Sequence, residues 1–404
     1  RHAPSIGIGI GLSLRSQGAA GAAFSGLLDQ YGGAAAAYSL RALSSGWVAG
    51  DVVEVRPSSG WTPASFTAGQ VANGEMVDYV KRPGNFTNVA INPFEEFTNN
   101  GEGDGFTAKD TTSAGFASAY VVSGAASDVV TVSFDLAIVS GSPSVSLRNA
   151  PNQTRSNIEV ISTNGSHSVV LTATGSFNNF SIADGDIPSE FTVSNVRFST
   201  ADGFVSTWYD QSGNANNATQ ATTTSQPKIV SAGTLVAGGL DFDGVDDRLI
   251  TGSFSLTQAF TSFSVTSTDV SSRSAGIWGV ADSESSPFEA TSFYRSDDGF
   301  AINSGETLTT ASTQTYDTGR DYLKTSFFDS ASSSIRVDGV TKVTATAGTS
   351  NPSGLLMLGQ FMSSSGTTAV RLNGKIQEII IYDSDQTANS VAIEANINDF
   401  YTIY

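Results

Sequence analysis

At 404 residues the chain exceeds what one hydrophobic core usually holds, so two or three domains are expected. The absence of cysteine excludes a disulfide framework, a thiolate metal site and a cysteine nucleophile, and a net charge of -18 sets the chain against nucleic acid and anionic membrane as partners. With 39% hydrophobic and 14% charged residues, 41 glycines and no apolar run of roughly 18 residues, the composition suits short strands and many turns rather than a bilayer-spanning helix.

The first residue is Arg1 rather than Met, from which a removed leader or a further upstream segment is expected. In residues 1–30, Ile6, Ile8, Ile10, Leu12 and Leu14 alternate with Gly7, Gly9, Gly11 and Ser13. That pattern predicts a strand with one apolar edge and one face bare enough for close backbone approach. Such a strand lacks a local partner, and strand addition to another subunit would supply one. A small-residue linker follows, with one helical turn expected at Phe24–Tyr31.

Short strands are expected at Ala37–Leu43, Val52–Arg56 and Val77–Val80. Around Ile91 the texture changes. Asn92-Pro-Phe-Glu-Glu-Phe97 leads into Asn99-Asn-Gly-Glu-Gly-Asp-Gly105, and strands follow at 117–123, 129–139, 145–148, 158–161, 167–172, 177–182 and 191–198. In the longest, Val130, Val132, Phe134, Leu136 and Ile138 share one face, the half-buried sheet pattern. About a hundred residues with some eight strands make one sandwich.

The first texture returns at Gly203. Phe204–Tyr209 is an aromatic strand that runs into Asp210-Gln-Ser-Gly213, a turn whose side chains can bond their own backbone. Pro227 opens the next strand, and Leu240-Asp-Phe-Asp-Gly-Val-Asp-Asp-Arg-Leu249 alternates through a glycine turn into another. Further strands are expected at 260–266, 275–280, 292–295, 321–329, 354–358 and 374–383, with an Asp338-Gly339 hairpin between two alternating runs. Only Ala388–Tyr401 has helical spacing, through Val391, Ile393, Ile397 and Phe400. The reading is therefore 1–30 as an anchoring arm and linker, 31–90 with 199–404 as one discontinuous domain, and 91–198 as a domain inserted in one of its loops.

Several stretches carry a resemblance. Leu240-Asp-Phe-Asp-Gly-Val-Asp-Asp247, Ile335-Arg-Val-Asp-Gly-Val340 and Gly374-Lys-Ile-Gln-Glu-Ile-Ile-Ile-Tyr382 resemble the laminin-G / concanavalin-A-like sandwich. Ser39-Leu-Arg-Ala-Leu43 and Thr207-Trp-Tyr-Asp-Gln-Ser-Gly213 with Asn216-Asn217 are similar to the catalytic domain of fungal-type α-L-arabinofuranosidase B. The insert resembles a carbohydrate-binding jelly roll at Asn92-Pro-Phe94 and Val193-Ser-Asn-Val-Arg-Phe198. The fold class implied is all-β: a concanavalin-A-like sandwich interrupted by a jelly-roll sandwich, with an extended N-terminal arm. This combination also occurs in virion surface proteins of marine bacteriophages, where such an arm would anchor the subunit.

The resemblance to the arabinofuranosidase implies a retaining glycosidase site, which needs two carboxylates about 5 Å apart. Phe288-Glu-Ala290 resembles the nucleophile segment and makes Glu289 its candidate. Leu358-Gly-Gln-Phe361, where the acid belongs, has no carboxylate, and Asp297 and Asp298 are the nearest replacements. The family's adjacent-cysteine sugar platform is also absent. The candidate ligand-binding set is Trp208, Tyr209, Asp210, Gln211, Trp278 and Glu289, against the alternative that the aromatics fill the core and the polar residues cap a turn. Calcium is the one cofactor weighed, at Glu102 and Asp104 or at Asp241, Asp243, Asp246 and Asp247, against solvated turns. His2 and His167, the chain's two histidines, are too far apart in sequence to suggest a catalytic pair.

Two functions from different classes follow. One is a non-enzymatic structural or adhesive surface protein of a bacteriophage particle, homo-oligomeric or joined to other virion subunits, that meets a host glycan. The other is a secreted α-L-arabinofuranosidase-type hydrolase.

Overall fold

The computed structural model describes residues 24–88, 93–101, 104–112, 115–148, 156–184, 188–297, 299–305, 309–310 and 315–404. The expected anchor residues Ile6, Ile8, Ile10, Leu12 and Leu14, and Glu102 of the expected calcium loop, lie outside the described residues.

The fold is all-β. In the larger unit, Asn373–Tyr382 pairs with Ala34–Ser39, Leu240–Asp243 and Phe260–Thr268, and the sheet continues through Tyr322–Phe328 to the hairpin Ser334–Val337 and Val340–Thr344. A second sheet runs Ala64–Thr67, Asp51–Pro57, Gly203–Trp208, Ala218–Thr219, Leu249–Ser255, Ser353–Leu358, Ala275–Ala281, Ala290–Tyr294 and Phe300–Asn303. Lys228–Ser231 pairs with both sheets and joins them at one edge. Alternation explains the layering: Phe260, Tyr322, Phe328, Ile379 and Ile381 from the first sheet meet Val53, Val205, Trp208, Trp278 and Leu358 from the second. On the outer side of the first sheet, Phe263, Val265 and Ile380 pack against Ile393 and Ile397 of the C-terminal helix Ser390–Tyr401. Val391 and Phe400, read as part of that apolar spacing, are exposed. The helix buries a narrower stripe than its sequence suggested.

The strands between Thr87 and Phe198 form two five-stranded antiparallel sheets with a separate core. That core is aromatic, with ring centroids 5.0 Å apart for Phe86 and Phe106 and 5.7 Å for Phe94 and Phe191. Because Phe86 and the short strand Thr87–Asn88 already belong to it, this sandwich begins ahead of the texture change at Ile91.

Val77–Val80, expected as a strand, is part of the helix Glu75–Val80. Gly74 at φ +88° turns the chain, the Asn73 side chain accepts from the Glu75 amide, and Met76 and Val80 bury one face. The alternation of Val77 and Tyr79 had imitated a strand. Ahead of it, Ala68–Ala72 is a short helix closed by a capping box between Thr67 and Gln70. The first strand is Ala34–Ser39 rather than Ala37–Leu43, because the chain leaves the sheet at Leu40 to meet the Asp210 turn.

Candidate functional site

The Asp210 turn is a lock at one end of the sandwich. Asp210 is fully buried, and its Oδ1 accepts from the amides of Ala37 (2.8 Å) and Ser212 (2.9 Å). Its Oδ2 accepts from the Ser212 hydroxyl (2.7 Å) and the Asn216 amide (2.9 Å). Gln211 accepts from the Leu43 amide and donates to the carbonyls of Ser39 and Arg41. The two side chains therefore satisfy backbone groups of residues 37–43, a segment more than 160 positions away by the Gln211 bond. Both are occupied with the protein itself, the alternative weighed against ligand binding.

Trp208 and Trp278 are fully buried in the main core. Trp208 lies 5.7 Å from the Tyr38 ring and Trp278 5.6 Å from the Phe328 ring, between centroids. Neither presents a face to solvent, so the expectation that they stack on a sugar is corrected: both are core residues. Tyr209 is half-buried, with its hydroxyl 2.9 Å from that of Ser65.

Glu289 precedes the strand Ala290–Tyr294 and is half-buried. Its Oε2 accepts the Ser353 amide at 2.7 Å, and its own amide donates to the Val280 carbonyl. Phe288 beside it touches Phe361 edge-on, which brings the Leu358–Phe361 stretch close. In that stretch Gln360 is buried, with Nε2 3.4 Å from Met357 Sδ and Oε1 without a partner. The hairpin that carries it lies flat on Ala275–Ala281. A side chain at Gly276 or Gly279 would come within 2.5 Å of Val370 or Phe361. Asp297 is exposed and paired with Arg295 at 2.6 Å, while Asp298 lies outside the described residues.

Of the two calcium expectations, Asp104 is bound otherwise. Its carboxylate meets the Arg197 guanidinium at 2.6 Å and accepts from the Asn100 side-chain Nδ2 at 2.8 Å, so a cation there would compete with a fixed positive charge. Asp243, Asp246 and Asp247 bring an oxygen each to within 4.8 Å of one another. All three have tasks in the turn: Asp243 accepts the Val245 amide, Asp246 the Ser225 hydroxyl and Asp247 the Asp243 amide. Burial, with the Asp243, Asp246 and Asp241 carboxylates adding to it, pushes the Asp247 carboxyl up to about 7.

Several charged groups escaped the sequence reading. Lys324 is fully buried on the inner face of its strand and reaches across the core to the carbonyls of Ala301 (2.7 Å) and Phe293 (3.3 Å). Burial drives its amine well below the usual lysine range. Glu378 holds Arg41, and Glu394 on the C-terminal helix holds Arg336. The available signal was a charge inside an apolar run, as in Tyr322-Leu-Lys-Thr-Ser-Phe-Phe328. An open cleft of about 430 Å³ is lined by Phe66, Gln70, Glu75, Asp78, Tyr79 and Arg82, all from residues 66–82 of the larger unit, and Arg197 of the inserted sandwich is bidentate on Asp78.

Neither a family model nor a curated protein matches the chain. Solved structures overlap it only in part. A Trypanosoma rangeli sialidase in complex with sialic acid is 13% identical over 48% of this chain and 32% of its own, with a TM-score of 0.36. A heptameric SAP-like pentraxin from Limulus polyphemus is 13% identical over 38% of this chain and 78% of its own, at 0.32. The CBM40 domain of a Ruminococcus gnavus IT-sialidase, bound to α2,3-sialyllactose, is 11% identical over 35% and 83%, at 0.29. The chain thus spans about a third of the sialidase length. At these scores the overlaps carry no argument about function. What stands is an all-β chain of packed sandwiches.

Proposed function

We propose that this chain is a non-enzymatic surface protein, a virion component that carries two β-sandwiches for adhesion to glycans on a host surface. One observation supports it most. Where the arabinofuranosidase-like reading needs an acid opposite Glu289, the chain has Gln360, buried and neutral, and Glu289 itself is tied to the Ser353 amide. A neutral amide cannot protonate a leaving group, and a fold does not bring its chemistry along when the site is altered. The cleft lined by residues 66–82 offers aromatic rings, an amide, carboxylates and a guanidinium, the mixture that saccharide recognition uses. The alternating Ile/Gly arm in the sequence suits attachment to an assembly.

The expected outcome is no turnover of aryl arabinofuranosides, retention on a glycan array, and recovery of the chain in purified particles by mass spectrometry. Turnover abolished by Glu289→Gln would restore the secreted-hydrolase reading.

A further inference from the structure

One edge of the inserted sandwich is left open. Gly165–Thr172 is the outermost strand of its sheet, paired along its whole length with Val129–Ser140 and free of any register shift. Among the described residues no strand pairs with its other side. Beside it runs Ser156–Val160, the outermost strand of the facing sheet. Apolar side chains stand in solvent on both: Ile158 is 54% exposed, Val160 58% and Val170 62%. An open row of amides and carbonyls is a template for another chain, so native sheets blunt their edges with charges, proline, bulges or short strands. Other edges of this protein follow that rule. Glu96–Asn99 has four residues and starts on a carboxylate, and Ser156–Val160 carries Glu159 and a register shift. Val340–Thr344 carries Lys342 and pairs through a shift, and Ala34–Ser39 is bonded by the Asp210 turn. Gly165-Ser-His-Ser-Val-Val-Leu-Thr172 has eight residues and no Asp, Glu, Lys, Arg or Pro.

The chain's own sequence holds a segment that matches this edge in length and charge. Ile6–Leu14, outside the described residues, alternates a large aliphatic with Gly or Ser over a stretch as long as the edge. Residues 1–28 contain Arg1 and Arg15 and no acid, in a chain of net charge -18. Acids flank the open edge in turn. Asp135 accepts the Ser166 hydroxyl at one end, and at the other the exposed Asp128 accepts the Ala173 amide through its carbonyl. Arg1 and Arg15 bracket the aliphatic run as Asp135 and Asp128 bracket the strand, and opposite charges at a rim steer association and set register. The arm is rooted in the larger unit, where Leu27 packs with Tyr382 and Ile393 and Asp29 accepts from the Gly26 and Ser45 amides. It therefore leaves from one unit while the open edge belongs to the other, the arrangement in which one copy serves the next.

We infer that residues 6–14 of one copy add as a sixth strand beside Gly165–Thr172 of a second copy, so that the chain assembles through this edge. Main-chain pairing holds the strand, and its aliphatics leave water together with the apolar strip at Ile158 and Val160. A head-to-tail contact of this kind closes a ring or extends an array, according to the rotation between copies. The inference rests on the assembly part of the surface-protein reading and not on its glycan part.

The test uses the full chain, whose lack of cysteine makes an introduced pair unambiguous. Copies carrying Ile10→Cys are mixed with copies carrying Val170→Cys and treated with a short bismaleimide. A two-chain product is expected on a denaturing gel, in a yield that neither variant reaches alone. Sedimentation velocity of the unsubstituted chain should show concentration-dependent self-association. Val170→Lys with Ile158→Lys, both at exposed positions, should weaken that association about tenfold or more and leave the circular dichroism melt unchanged. Deleting residues 1–15 should give a monomer with the same melt. The inference is overturned if the unsubstituted chain stays monomeric, or if the double lysine variant associates as tightly as the original. It also fails if Ile10→Cys and Val170→Cys placed in one chain crosslink only within that chain, since the arm would then cover its own edge. A truncated chain that no longer folds would point the same way. Recovery in purified particles is measured separately, so this inference can fail while the surface-protein reading stands. Crosslinking between copies of a chain that is absent from particles would be the reverse case.

Discussion

Asp210 shows how much one side chain can carry in a chain with few charges. Three of its four hydrogen bonds come from backbone amides, two in its own turn and one from Ala37. Asp210→Ala leaves those amides without acceptors in a buried place, at a cost of about 1–3 kcal/mol for each unsatisfied group. We expect a total loss of about 3 kcal/mol or more, read as a lower denaturation midpoint with an unchanged slope. Asp210→Asn should lose less, since it keeps an acceptor oxygen. Sequence alone made the turn legible, because Asp-Gln-Ser-Gly has side chains suited to bonding their own backbone. It could not reveal that the turn's main client is a segment near the N-terminus, since a partner 173 positions away leaves no local trace. The same limit applies to Trp208 and Trp278. Period-two alternation places a residue on a face, but whether that face meets solvent or another sheet depends on the whole fold.

Among elements, strands were read well wherever one face is apolar, as in Val129–Ser140, and misread where alternation was short. Val77–Val80 alternates over only four residues, and the decisive signals were Gly74 and Asn73 just ahead of it. The C-terminal helix shows a different limit. Its apolar stripe is narrow, so ion pairs share the work of holding it. Glu394, almost fully buried, accepts from Arg336 Nε and Nη2, both at 2.9 Å, and from the Thr325 hydroxyl at 2.7 Å. Removing one partner of such a pair leaves the others without compensation. Glu394→Ala should therefore destabilise by about 2–3 kcal/mol, moderated because Arg336 retains some solvent contact. Hydrogen exchange should show the amides of Ser390–Tyr401 opening ahead of the sheet beneath them. Unchanged protection would mean that Ile393 and Ile397 alone fix the helix.

At the scale of the molecule, the two sandwiches share a chain but have separate cores. Their junction is small. Arg197 reaches from the insert to Asp78, which is half exposed, and the Phe198 amide donates to the Lys81 carbonyl at 2.9 Å. That last bond brings the two ends of the insertion side by side, so a short flexible linker can close the gap at little entropic cost. Replacing residues 83–198 with about four glycine or serine residues should leave a remainder that is soluble and melts cooperatively. The lost contacts include the Arg197–Asp78 pair, the Phe198–Lys81 bond and two hydrogen bonds between Thr131 and Ser199, and such exposed pairs and bonds contribute about 1 kcal/mol each. Cutting instead at Ile91 would leave Phe86 and the strand Thr87–Asn88 without their sheet, exposing an aromatic side chain that is now buried. The shorter excision should therefore aggregate where the longer one does not. Equal behaviour of the two truncated chains in circular dichroism melting would show that Phe86 does not mark the boundary. Insolubility of both would show that the outer sandwich needs the inner one to fold.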